Sequence, residues 1–107
     1  MIFTKEQRDI MRLAIDTYGE INQMEKAIEE MAELTKALIK LKQVNLGDNE
    51  ETTFKVMNVE EEIADVLIMM EQLTMIFKPQ DKDEPTEIKI NIKHKIERLA
   101  RNLHREV

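Results

Sequence analysis

The stretch NVEEEIADVLIMMEQL, residues 58–73, opens on a turn of acids and then turns apolar on every side. From Ile63 to Phe77 only Asp65, Glu71, Gln72 and Thr74 are polar. A helix that is apolar around its whole circumference must be buried on most sides. A chain of 107 residues has little else to cover it with. The expectation is a homo-oligomer, most simply a homodimer, packed through this helix. Met69, Met70 and Met75 are read as core filler, because the flexible thioether suits irregular gaps.

The same opening occurs earlier. AIEEMAELTKALIKL, residues 27–41, also sets adjacent glutamates before an acid three positions on, and then continues in an apolar helical pattern. Around these two segments the punctuation predicts an all-α, four-helix bundle-like fold in one domain, 1–107. Thr4-Lys5-Glu6-Gln7 fits a capping box; the first helix then runs to about Tyr18, with Gly19 as a left-handed stop. Asn22 and Glu25 are placed to cap a second helix that ends near Leu46, before Gly47. DNEETTFKVM, residues 48–57, shows no steady period and is read as a polar connection. Asn58 starts the third helix, and Pro79 ends it near Phe77. Pro85 or Thr86 opens a fourth, in which Ile88, Ile92, Ile96, Leu99 and Leu103 recur at helical spacing.

Composition narrows the function classes. Without cysteine there is no disulfide framework, thiolate metal site or cysteine nucleophile. One Tyr and three Phe make a poor base-stacking platform for single strands. No apolar run is long enough to span a bilayer, and the N-terminus has no secretory pattern, so a cytoplasmic location is expected. Residues 86–107 carry a local net of +3, which leaves −9 on the remainder. An acidic body with a basic last helix argues against stable nucleic-acid binding, which needs a dominant positive field.

At about 100° per residue, Met24, Ala27, Met31, Leu34, Leu38 and Leu41 share a band on the second helix. Val59, Ile63, Val66, Met70, Leu73 and Phe77 make the corresponding band on the third. Glu30 and Glu33 stand at nearly the same offsets from the first band as Glu62 and Asp65 from the second. Ile68, Met69 and Ile76 flank Asp65, which predicts a carboxylate enclosed by apolar residues. One such acid pair is ordinarily part of a solvated face with partners such as Lys26 and Lys36. Two pairs in matching phase suggest convergence. Four converging carboxylates repel strongly enough to rival the ~5–15 kcal/mol stability of a small domain. They must bind metal, take up protons or splay apart.

All-oxygen ligands suit Mg²⁺, Mn²⁺ or Ca²⁺ rather than zinc or copper. Mg²⁺ commonly bridges protein carboxylates to substrate phosphates, so phosphate-ester or phosphoanhydride chemistry is the expectation. His94 and His104 lack the spacing of di-iron bundles and are read as surface residues. Lys95 and Arg98 flank the apolar stripe of the fourth helix and are candidate phosphate contacts; Arg101 and Arg105 point outward.

EEMAE at 29–33 and EIAD at 62–65, with the closing basic helix KHKIERLARNL, resemble the MazG-like branch of the all-alpha nucleoside triphosphate pyrophosphohydrolases. The likeness is closest to the short single-domain type of phages and Gram-positive bacteria. The resemblance implies Mg²⁺-dependent hydrolysis (Mn²⁺ as a substitute) of a nucleoside triphosphate to a monophosphate and pyrophosphate. By it, Glu30, Glu33, Glu62 and Asp65 hold the metal, and one of these or Glu29 is the general base. Lys26, Lys95 and Arg98 contact phosphate, and the assembly is a homodimer or homotetramer. Where several members carry an asparagine about two turns after the motif, this chain reads MMEQL, with Gln72 as a substitute. Two other readings compete: a nucleotide-sequestering module without turnover, and a structural bundle whose basic helix docks an acidic partner.

Overall fold

Thr4 sets the start of the first helix as its sequence predicts. Its Oγ1 accepts from the Gln7 N–H at 3.1 Å, and its own N–H donates to Gln7 Oε1 at 2.9 Å. Two otherwise unsatisfied amides are thereby paired. The helix α1 covers Lys5–Tyr18 and α2 covers Glu20–Gln43, with Gly19 as the whole connection. Gly19 has φ 92° and ψ 151°, a positive φ but not the left-handed helical stop expected. Its N–H closes α1 on the Ile15 carbonyl at 2.8 Å, and its carbonyl accepts the Gln23 N–H at 3.1 Å. Asn22 does not cap α2. Its Nδ2 donates instead to the Tyr18 carbonyl at 2.7 Å, satisfying the end of α1.

The computed structural model describes residues 2–44, 49–78 and 87–106. The end expected near Leu46 and Gly47 lies outside them; among the described residues α2 runs to Gln43, with Val44 extended at its C-cap. Helix α3 spans Glu50–Phe77, so the polar connection read over 48–57 is wrong for Glu50–Met57. The reason is a cap that the aperiodic sequence conceals. Asn49 Oδ1 accepts the Thr52 N–H at 2.9 Å, and the Asn49 carbonyl accepts the Thr53 N–H at 3.1 Å. Asn58 therefore lies within the helix. The C-terminal end near Phe77 is as expected. Helix α4 covers Glu87–Glu106; Pro85 and Thr86 lie outside the described residues. All four elements are helical, and no strand occurs among the described residues. None of these helices is long and apolar enough to cross a membrane.

The chain divides into two compact units, Met1–Ile76 and Phe77–Val107. In the first, side chains join the helices: Arg8 of α1 pairs with Glu71 of α3 at 3.4 Å, and Gln23 of α2 bonds Gln72 of α3. Among the described residues, those buried in it are Met11, Gln23, Ala27, Ala37, Val59, Met69, Gln72 and Met75. On α3 this face differs from the expected band. Ile63, Met70 and Phe77 are exposed, whereas Met69, Gln72 and Met75 are covered. The buried face is turned by roughly 110° from the sequence reading, because a helix apolar all round has no preferred side. Ile63, Leu67, Ile68 and Met70 remain 36–42% exposed in the single chain. In the second unit, α4 carries its apolar stripe exposed along its length.

Candidate metal centre and adjoining cleft

Glu30 comes from α2, and Glu62 and Asp65 from α3. One carboxylate oxygen from each lies within 4.8 Å of the others. The repeated motif extends to burial. Glu30 and Glu62 are both half-buried, whereas Glu33 and Asp65 are both exposed. Three of the four expected ligands therefore converge. Glu33 stands outside that group of three, close enough for its charge to act on Glu62.

The burial expected for Asp65 belongs to Glu62. Ile68, meant to wall in Asp65, is itself 38% exposed, so the Asp65 carboxylate reaches water. Glu62, three residues after buried Val59, is instead the half-buried acid on α3. Glu62 Oε2 is buried with no hydrogen-bond partner. Desolvation is the main cause that raises the Glu62 pKa above the usual glutamate value, followed by the negative charges of Asp65, Glu30, Glu33 and Glu61. An acid so placed holds its proton more tightly than a free glutamate does, and a bound cation would favour its charged form.

Lys26 supplies part of the compensation. Its Nζ lies 3.1 Å from Glu30 Oε1 and 3.7 Å from Glu29 Oε2. The hydrogen bond and charge of Glu30, with the charge of Glu29, raise the Lys26 pKa. Glu29 is otherwise a surface acid. Lys95 and Arg98 belong to the second unit, where both are exposed on α4. Of the sequence-derived phosphate contacts, Lys26 is the one in the same unit as the acids.

The donor set fits a hard divalent cation: three carboxylates from two helices, no nitrogen or sulfur, and one buried oxygen without a proton donor. With Mg²⁺–oxygen bonds of about 2.0–2.1 Å, oxygens around one octahedral ion lie about 2.9–4.2 Å apart. With the three oxygens within 4.8 Å of one another, a contraction of at most about 2 Å brings them into that range. Comparison with protein-family models, with curated proteins and with solved structures gave no match to this chain.

One part of the site is not evident from acid spacing. Beside Lys26 and Glu29 opens a cleft of about 600 Å³ whose lining includes Tyr18, Gln23, Met69 and Gln72. Gln23 and Gln72 are buried, and Gln23 Nε2 donates to Gln72 Oε1 at 2.5 Å. Gln72 stood out in the sequence only through its position after the motif; Gln23 did not. The available signal was phase: Gln23 lies one turn before Ala27, and Gln72 three residues after Met69, both in register with buried residues.

Proposed function

We propose that this chain is a Mg²⁺-dependent nucleoside triphosphate pyrophosphohydrolase of the MazG-like type. The observation that carries the reading is the convergence of Glu30, Glu62 and Asp65 within 4.8 Å, with Glu62 Oε2 buried and unpartnered. Such a cluster is unfavourable on its own, and its cost is offset when a cation binds. Glu30, Glu62 and Asp65 hold the metal, and Glu33, at the margin, completes the set. A bound Mg²⁺ supplies charge neutralisation for a polyphosphate and a more acidic water.

The chain's own groups do the rest. Lys26, held on Glu30 in the absence of ligand, is within a side-chain swing of an incoming phosphate and balances its charge. Exposed Glu29 and Glu33 can take the proton of an attacking water. Self-association through α3 accompanies this reading, since it would cover Ile63, Leu67, Ile68 and Met70.

The test is product-resolved hydrolysis of a panel of ribo-, deoxy- and modified triphosphates with Mg²⁺. At least one should yield monophosphate and pyrophosphate. Glu33→Gln and Asp65→Asn should each abolish turnover while the helical circular-dichroism signal is kept. Full activity in both variants refutes the site.

A further inference from the structure

The cleft beside the acids is built where three helices meet. Tyr18 ends α1, Asn22, Gln23 and Lys26 stand on the opening turns of α2, and Met69 and Gln72 lie on α3. Its volume of about 600 Å³ falls within the range of small-molecule sites. The two polar residues buried among those described, Gln23 at 7% and Gln72 at 4% exposure, both belong to its lining. A primary amide carries two donors and an acceptor oxygen. The Gln23–Gln72 bond uses one donor and one acceptor, leaving Gln23 Oε1 and Gln72 Nε2 without a partner in the pair. Neither is sealed off as Glu62 Oε2 is.

Packing does not require this pair. Replacing both partners of a buried hydrogen bond by apolar groups of similar shape is nearly neutral or even stabilising, and an aliphatic pair would join α2 to α3 as well. The amides also have suitable company for a flat ligand. The Tyr18 ring is 63% exposed at the rim, and buried Met69 supplies an apolar wall. Lys26 both lines the cleft and binds Glu30 of the acid cluster, so one side chain separates the two places.

We propose that this cleft seats the heterocycle of the nucleotide, with the paired glutamines reading the hydrogen-bonding edge of the base; this rests on the pyrophosphohydrolase reading above. The pair presents one free donor beside one free acceptor. If both amides turn over, Gln72 Nε2 donates to Gln23 Oε1, and the free groups become a Gln23 donor and a Gln72 acceptor. The order of donor and acceptor thus reverses without breaking the pairing. Adenine, cytosine, guanine and uracil each offer an adjacent donor and acceptor on the pairing edge, in one order or the other. The reader accepts any base with that edge free and rejects one whose ring nitrogen is methylated, since a buried amide is then left unpaired.

The test uses ¹⁵N-labelled full-length protein and the side-chain amide resonances of Gln23 and Gln72. Uridine triphosphate with Mg²⁺ should shift both pairs, while N3-methyluridine triphosphate and inorganic tripolyphosphate should leave them in place. A Gln23→Met/Gln72→Met protein should keep its affinity for tripolyphosphate, lose roughly tenfold in KM for uridine triphosphate with kcat little changed, and no longer distinguish the methylated analogue. Equal response to uridine triphosphate and its methylated form, or wild-type selectivity in the double variant, overturns the proposal. If the wild type hydrolyses no triphosphate, the pyrophosphohydrolase reading fails separately. Uridine alone, without Mg²⁺, then decides the cleft: shifted amide resonances support it, and unmoved ones refute it.

Discussion

Replacing Glu62 by Gln should reverse the order of two melting curves. In the cation-free wild type, Glu62 combines a buried, unpartnered oxygen with the charges of Asp65, Glu30, Glu33 and Glu61. A neutral amide of the same shape removes the charge, so Glu62→Gln should melt above wild type in a chelating buffer at neutral pH. Mg²⁺ should invert that order. Free cation at one hundred times its Kd stabilises the native state by about 2.7 kcal/mol, which corresponds to roughly 10–20 °C in Tm for a domain of this size. The variant retains two of the three converging carboxylates and should gain far less at the same concentration. Differential scanning calorimetry across a Mg²⁺ series gives both readings at once. An unchanged wild-type Tm refutes cation binding. A cation-free variant that melts below wild type refutes the account of Glu62 as a destabilising buried acid.

The same group sets a pH dependence whose sign is fixed. Because the folded chain holds the Glu62 proton more tightly than the unfolded chain, cation-free stability should fall as pH rises from the ordinary glutamate range through the raised folded value, and Glu62→Gln should flatten that slope in melts between about pH 4 and 8. Asn49→Ala should cost about 0.5–2 kcal/mol in urea unfolding by removing the cap on Thr52, with Mg²⁺ affinity unchanged because the cap lies more than three turns from Glu62; weakened Mg²⁺ binding would show that the start of α3 and the acid cluster are coupled.

What could be read from the letters follows a physical divide. Thr4 with Gln7, and Phe77 ahead of Pro79, mark helix ends through local chemistry, and both ends stand as expected. The start of α3 was missed because Asn49 acts locally but precedes a segment without a clear apolar period. Glu30, Glu62 and Asp65 were legible as a group because phase on two helices is a local property. Which acid is buried was not legible. It depends on what packs over each turn of α3, and a helix apolar on all sides leaves that to tertiary packing. Gln23 was hidden for a related reason. A glutamine near a helix start reads as surface until a second one, 49 residues later, is found facing it.

Gly19 has a consequence for how the protein can change over time. A single residue forms the entire joint between α1 and α2, and its φ of +92° excludes ordinary side chains even though a Cβ there would meet nothing within 4 Å. The restriction is torsional rather than steric crowding. Adding or deleting one residue at this corner would change the direction in which α1 leaves α2, displacing Tyr18 from the cleft and Arg8 from Glu71 together. Change at this corner is therefore constrained in the number of residues between the helices as well as in their identity.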